Sequence, residues 1–308
     1  MPPLGMAPPF GKTMQGNGAA PLTPPGLMSA ILSLGAMLLC IPALCVPVLC
    51  APLLAQETIT VAAASDLSFA LPELASRFEQ QTGNRVRWVL GSSGNLFTQI
   101  QNGAPYDVYL SADAAYPQKL LDSGRALAGS YSLYALGELV LFTGKNPALD
   151  LNKLGMNALT LSDKSRIAIA NPAHAPYGRA ALAALDYYNL RERVAKRLVI
   201  GENAAQAAQF VVSGNAQFAL TARSVAQRQE GNFVSVPVLS YPPIQQAAVA
   251  LRRNQQAGQR QAGQQQAALD FVRFLSGEDA RGILRRNGFS LLTPGGAAPG
   301  RQQREPHP

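Results

Sequence analysis

Short apolar and β-branched runs alternate along this chain with segments that carry apolar residues at helical spacing. This alternation is typical of an α/β protein built on parallel sheets. The predicted strands are 58–63, 86–90, 107–110, 139–143, 167–170, 218–220 and 246–251. Helices are predicted between them, among them 180–189, 267–275 and 279–286. The lone Trp88 falls in a predicted strand, where we expect it to lie in the core.

The first 55 residues have a different pattern. Residues 13–56 carry no charge, and 27–54 are almost wholly apolar. This pattern predicts a signal peptide over 1–55. An uncleaved membrane anchor stays open as the alternative because the run is long enough to span a bilayer, although prolines interrupt it. All three cysteines lie in this segment, so we expect no disulfide or thiolate metal site in the mature protein.

The remaining body is larger than one ordinary core usually serves, which predicts two lobes. We place lobe one at 56–135 plus 243–294 and lobe two at 136–242, with the crossings between lobes near 135–137 and 241–243. A glutamine- and glycine-rich loop is predicted at 254–266, and a disordered tail at 295–308. The net charge of +8 comes from scattered basic residues without interleaved aromatic residues, so we expect no nucleic-acid partner.

Two predicted strands end on serines where a helix is expected to begin. Ser65 follows the first strand, and Ser93 follows the second within a Gly-Ser-Ser-Gly turn. A helix N-terminus offers free backbone N–H groups at the positive end of its dipole, which suits a small anion. Because open sheets bind ligands at the carboxyl ends of their strands, the two corners predict an oxyanion pocket. Ordinary helix capping explains either serine taken alone.

Pro72 conflicts with a continuous helix that begins at Ser65, because proline inside a helix removes a backbone hydrogen bond. We therefore predict a short turn over 66–68 and a helix that restarts near Pro72. The N–H group of Asp66 could then meet the anion as well.

Four segments together are similar to the periplasmic molybdate-binding proteins of ABC importers. They are 62–65 (AAAS), 91–96 (GSSGNL), 103–113 (GAPYDVYLSAD) and 171–178 (NPAHAPYG). The resemblance covers about 57–294. It implies a two-lobed α/β periplasmic binding protein fold of class II, with two parallel-sheet domains joined by two crossover strands and a ligand in the cleft.

The resemblance also implies the binding residues. The expected donors to molybdate, and to tungstate, are Ser65, Ser93, Tyr177 and Ala204. Ala204 would contribute its backbone N–H at a helix start capped by Asn203. Asp66 remains an open fifth position. So does Thr221, which lies near a position where many members of the family place a tyrosine that this chain lacks. Further expectations are membrane permease subunits as partners, a monomer, no cofactor and a periplasmic location.

The alternatives are a secreted serine hydrolase and a receptor for another tetrahedral oxyanion such as sulfate. A nucleophilic serine needs an adjacent base, and the chain has only His174 and His307, of which His174 lies in the loop near the proposed cleft. No G-x-S-x-G turn accompanies either serine corner, so we expect no enzymatic activity. Asp66, Asp107 and Asp113 match no calcium loop and are expected to cap local structure.

Overall fold

Two five-stranded sheets organise the chain in the computed structural model, which describes residues 56–145, 149–252 and 258–292. The first sheet has the strand order β2-β1-β3-β10-β4, and the second has the order β7-β6-β8-β5-β9. The strands are β1 (Thr58–Ala64), β2 (Arg85–Gly91), β3 (Val108–Ser111), β4 (Ser132–Gly137), β5 (Leu139–Thr143), β6 (Ile167–Ala170), β7 (Leu198–Gly201), β8 (Phe218–Ala222), β9 (Asn232–Ser235) and β10 (Ile244–Ala250).

Helices connect the strands and cover the sheets. They are α1 (Ala70–Thr82), α2 (Ser93–Gln101), α3 (Ala115–Asp122), α4 (Leu151–Leu154), α5 (Pro176–Tyr187), α6 (Arg191–Val194), α7 (Ala204–Val212), α8 (Arg223–Ala226), α9 (Gly258–Phe274) and α10 (Glu278–Arg286). A short 3-10 turn, Ser65–Leu67, leads from β1 toward α1. Each sheet has its own buried cluster, and the aromatic centre of the first is Phe78 against Phe271 at 5.0 Å between ring centroids.

The predicted two-lobed α/β fold is confirmed, and its two sheets, which were predicted as parallel, are mixed. β1 pairs in parallel with β2 and β3, but β10 is antiparallel to both β3 and β4. In the second sheet β6 is parallel to β7 and β8, while β5 is antiparallel to β8 and β9. The reversed strands are β5 and β10, and each directly follows a crossing between the sheets. Parallel pairing needs a long crossover connection, usually a helix, and none precedes these strands within their own sheet.

The chain passes between the two sheets twice, and the two passages touch. Only Glu138 separates β4 of the first sheet from β5 of the second, and the chain returns between Ser235 and Ile244. The N–H of Leu139 donates a hydrogen bond of 3.1 Å to the hydroxyl of Tyr241 on the returning passage. The lobe boundaries predicted at 135/136 and 242/243 stay predictions.

Three other sequence predictions need correction. Trp88 is 39% exposed, because β2 is an edge strand of its sheet. The loop predicted at 254–266 is helical from Gly258 onward, since a glutamine-rich segment has a fair helix propensity. Pro72 is the third residue of α1, two positions later than predicted but still in the first turn, where a missing N–H costs nothing.

The predicted signal peptide at 1–55 and the predicted tail at 295–308 lie outside the described residues. Within the described ranges, no helix combines the length and the apolar character needed to cross a membrane.

The contact between the two passages gives a stability prediction. Replacing Tyr241 by Phe leaves the fully buried N–H of Leu139 without its acceptor, which should lower the free energy of unfolding by about 1–3 kcal/mol. Urea denaturation of both proteins measures this change. The matched control is Y187F, because Tyr187 is 59% exposed, and it should stay within about 0.5 kcal/mol of the wild type. Equal effects of the two substitutions would contradict the assigned role.

Candidate functional site

The carboxyl ends of strands from both sheets meet across a narrow cleft. The turn after β2 contacts the loop after β6, where the N–H of Gly94 donates to the carbonyl of His174 at 2.8 Å. A Cβ at position 94 would lie only 2.8 Å from the backbone and Cβ of His174, so glycine is required for this approach. The two sheets thus face each other with the edges formed by the carboxyl ends of their parallel strands, the edge at which open α/β sheets commonly bind ligands.

Ser65 faces the N-terminus of α7 from the opposite sheet. Ala204 is the first residue of α7, and the Asn203 side chain caps the helix by accepting the N–H of Gln206 at 3.1 Å. The next N–H, that of Ala205, points to the Ser65 hydroxyl oxygen at 3.5 Å. Because this oxygen is an acceptor here, the Ser65 hydroxyl keeps its own proton to donate.

Ser93 is held in the same way at the start of α2. Its hydroxyl oxygen accepts the N–H of Ala112 at 3.0 Å, and its carbonyl accepts the hydroxyl of Tyr109 at 2.6 Å. Ser93 is buried, and its hydroxyl proton is likewise left to donate. The two serines therefore contribute hydroxyl donors whose positions are fixed by backbone groups.

Tyr177 lies in the first turn of α5 and reaches the crossing between the sheets. Its side chain is buried, and its hydroxyl packs so closely on Gly137 that a Cβ at that position would collide with it. The same imagined Cβ would lie 3.0 Å from the amide nitrogen of Gln246. Tyr177 and Gln246 therefore approach the same point of the crossing, and Gly137 leaves room for both.

Thr221 is close to the site but is already engaged within the chain. Its hydroxyl donates to the carbonyl of Ala204 at 2.7 Å, and its side chain is fully buried. In this structure Thr221 fixes the first turn of α7 and uses its proton to do so.

Asp66 places a carboxyl group between the lobes. Its Oδ2 accepts the amide of Gln246 at 2.6 Å, and its backbone carbonyl accepts the hydroxyl of Ser224 at 2.7 Å. Its Oδ1 is buried and has no hydrogen-bond partner among the described residues. Burial raises the pKa of this carboxyl to about 6, and hydrogen bonding from Tyr177 and Gln246 opposes the rise. A partly neutral acid at this position was not predicted.

A polar cluster closes the rim of the cleft. Nδ1 of His174 lies 2.7 Å from the Ser92 hydroxyl, and Nε2 lies 3.9 Å from the Glu202 carboxylate. Glu202 also accepts the side-chain amide of Asn95. Nearby, Arg179 pairs with Asp113 at 2.5 Å. The Ser92–His174, Asn95–Glu202 and Asp113–Arg179 contacts join the two lobes and hold them together at this rim.

The structure brings most of the predicted site residues to one place. Ser65, Asp66, Tyr177, Ala204 and Thr221 are linked by the contacts described above, while Ser93 lies on the adjacent corner. Their roles as ligand donors stay predictions. Sequence reasoning missed Gln246, whose signal is a polar residue in an otherwise apolar strand that proves to be fully buried. It also missed Glu202, which carries no local signal.

The other aspartates have structural partners. The carboxylate of Asp107 accepts the N–H of Thr60 at 2.7 Å, and that of Asp113 accepts the N–H of Ala115 at 2.9 Å. Over the ranges that the structure describes, no group of three or more His, Cys, Asp or Glu side chains is arranged to hold a metal ion.

Two sheets joined by two crossings, with strand ends in contact between the lobes, define a solute-binding protein architecture. Residues 59–290 match the family model described as bacterial extracellular solute-binding protein. The chain therefore belongs to the bacterial extracellular solute-binding proteins.

Two similar proteins are both named as molybdate-binding proteins. The chain is 35% identical over 271 residues to the molybdate-binding protein ModA of Azotobacter vinelandii, covering 86% of this chain and 98% of that protein. It is 34% identical over 232 residues to ModA of Rhodobacter capsulatus, covering 75% and 87%.

Among solved structures, the periplasmic molybdate-binding protein of Azotobacter vinelandii matches with a TM-score of 0.67 and 32% identity, covering 76% of this chain and all of that one. The sulfate-binding protein SubI of Mycobacterium tuberculosis matches with a TM-score of 0.59 and 15% identity, covering 78% and 88%, which shows a shared fold alone.

The raised pKa of Asp66 gives a prediction on stability. In the unfolded chain this carboxyl ionises near its usual value of 3.8, but in the fold near 6, so wild-type stability should fall as pH rises through this window. The D66N variant lacks this penalty. Its free energy of unfolding relative to wild type should therefore rise by up to about 3 kcal/mol between pH 4 and pH 7. Urea unfolding at a series of pH values measures the difference, and a difference that stays constant with pH would contradict the buried carboxyl's role.

Proposed function

We propose that this protein binds molybdate, and also tungstate, in the cleft between its lobes and delivers the oxyanion to the membrane subunits of an ABC importer. The proposed donors are Ser65, Ser93, Tyr177 and Ala204, with Asp66 and Thr221 as further members of the pocket. Binding and release follow from lobe closure and opening. The protein carries out no chemistry on its ligand.

The observation that supports this proposal best is the approach of Ser65 to the N-terminus of α7. The hydroxyl of Ser65 and the N–H of Ala205 lie 140 positions apart in the chain and 3.5 Å apart in space. A serine hydroxyl on one lobe then faces the capped N-terminal turn of α7 on the other. Such an arrangement suits a small anion better than any other ligand class.

The chemistry of the donors favours a fully ionised tetrahedral dianion. Such an ion offers only acceptors, so hydroxyl and N–H donors can satisfy it completely. Each donor to a charged group contributes about 1.5–3 kcal/mol. Four or five of them could support submicromolar binding after the costs of closure.

The relatives supply the choice of oxyanion. Proteins at 34–35% identity are molybdate-binding, whereas the sulfate-binding neighbour shares only the fold. Tungstate enters the proposal because it has the same charge, shape and acceptor count as molybdate.

Delivery to a permease follows from the family and from the expected location. We propose that residues 1–55 act as a signal peptide and that the protein works as a monomer in the periplasm, without a cofactor and without nucleic acid. Closure would present surfaces of both lobes to the membrane partner, so that only the loaded form is recognised.

A ligand panel tests the proposal. Thermal shift and calorimetry with molybdate, tungstate, sulfate and phosphate should show stabilisation and tight binding by the first two only. No stabilisation by molybdate or tungstate would reject the proposed function, and a preference for sulfate would favour the receptor for another oxyanion.

The S93A variant extends this test to the site. It removes one hydroxyl donor to the dianion, so the Kd for molybdate should rise by about 10- to 150-fold. The matched control is S76A, on the exposed face of α1, which should leave the Kd unchanged. Equal Kd values for S93A and S76A would exclude Ser93 from the site.

One contact favours a second candidate function, a secreted serine hydrolase. His174 is within hydrogen-bond distance of Ser92, as a base would be of its nucleophile. The carboxylate of Glu202 is 3.9 Å away, beyond the reach of a hydrogen bond that could orient the imidazole. We therefore assign His174 to cleft closure, where its carbonyl binds Gly94.

The H174Q variant separates the two functions. Because the backbone carbonyl of residue 174 remains, molybdate affinity should stay within a few-fold of wild type, measured by calorimetry. Generic ester substrates should give no turnover with the wild type. Turnover that disappears in both H174Q and S92A would establish the hydrolase instead.

A further inference from the structure

The carboxyl of Asp66 lies beside residues that are proposed to bind the ligand. It follows directly on Ser65, is fully buried, and faces the Tyr177 hydroxyl. Both of these neighbours are proposed ligand donors, so this inference rests on the proposed function. A carboxylate at this place would repel a bound dianion, and the pocket must resolve that conflict.

The hydrogen bonds around Asp66 fix which oxygen can carry a proton. The amide of Gln246 accepts the hydroxyl of Tyr134 through its oxygen at 3.3 Å, so its nitrogen donates to Oδ2 of Asp66. Oδ2 is therefore an acceptor. In the neutral acid the proton belongs on Oδ1, the buried oxygen without a partner among the described residues. That O–H would need an acceptor, and the oxyanion consists of acceptors.

None of the other groups described around this carboxyl carries a charge near neutral pH. Tyr177 and Tyr134 have pKa values raised well above the usual 10 by burial, and burial also raises the pKa of Tyr241 beside Tyr177. All three stay protonated near neutral pH. The other contacts, from Gln246, Ser224 and the backbone N–H groups of Asp66 and Leu67, are neutral.

Protonating Asp66 weakens ligand binding less than repulsion between its carboxylate and the dianion would. With a pKa of about 6, neutralising this acid at pH 7 costs a factor of about ten in binding. Even two unit charges about 4 Å apart cost a factor on the order of several hundred at the effective dielectric of protein sites, and the second charge of a dianion raises this cost. The neutral acid is the favoured form beside the ligand.

We infer that Asp66 takes up a proton from solvent when the oxyanion binds and that its Oδ1–H then donates a hydrogen bond to the ligand. Asp66 is thus a further binding residue, and its carboxyl couples molybdate affinity to pH. Above the carboxyl's own titration range, each added pH unit should weaken binding about tenfold until the bound state also ionises.

Calorimetry with molybdate in two buffers of different ionisation enthalpy measures the protons taken up. At about pH 7.5 the wild type should take up close to one proton, and its Kd should rise more than tenfold between about pH 6.5 and pH 8. D66N should bind molybdate with little proton uptake and a Kd that varies little with pH. D186N, the same change at an exposed carboxylate paired with Arg191 at the C-terminal end of α5, should still take up about one proton.

The outcomes separate this inference from the proposed function. A wild type that binds molybdate without proton uptake, or a D66N variant with undiminished uptake, would overturn the role of Asp66 and leave the function standing. A wild type that binds no molybdate at any pH would reject the function itself. If D66N does not fold, carbon-13 spectra of aspartate-labelled wild type decide, because one carboxyl signal should move to its neutral position when molybdate is added at pH 7.5.

Discussion

Hydrogen bonds between the carboxyl ends of strands in two different sheets are the interaction on which the pocket depends. Ser65 meets the start of α7, and Gly94 meets the carbonyl of His174, each across the cleft. The proposed donors come from both lobes, Ser65 and Ser93 from one and Tyr177 and Ala204 from the other. The crossings at Glu138 and Tyr241 keep the two edges facing each other, and the Leu139 to Tyr241 hydrogen bond joins those crossings. The residues at the crossings therefore both connect the two sheets and position the proposed site.

Two glycines allow the lobes to come this close. A side chain at position 94 would strike His174, and one at position 137 would strike the Tyr177 hydroxyl. Both glycines have ordinary negative φ values, so the backbone conformation does not require them. What requires them is the approach of another chain segment, which is a property of the assembled cleft.

Local sequence patterns predicted the parts of the site that local physics determines. Ser65 and Ser93 stand where strands end, and Asn203 caps α7 as its side chain allows. The carboxyl of Asp66 and the amide of Gln246 could not be paired in advance, because they lie 180 positions apart and meet only when β10 returns to the first sheet. Trp88 was misplaced for a related reason. The apolar pattern of its strand predicts burial, but β2 is an edge strand of the first sheet.

Under the proposed function, the division of the donors between the lobes reconciles tight binding with release. None of the described hydrogen bonds of Ser65, Asp66, Ser93 and Tyr177 involves a lysine or an arginine. A fixed cation on one lobe would keep its attraction for the dianion when the cleft opens. When the cleft opens, the anion loses the hydrogen bonds from one lobe, which are about half of the total. Each lost hydrogen bond lowers the affinity about tenfold or more. The proposed function therefore needs only that a membrane partner opens the cleft, and loss of the proposed Asp66 proton at that moment would add repulsion between the carboxylate and the anion.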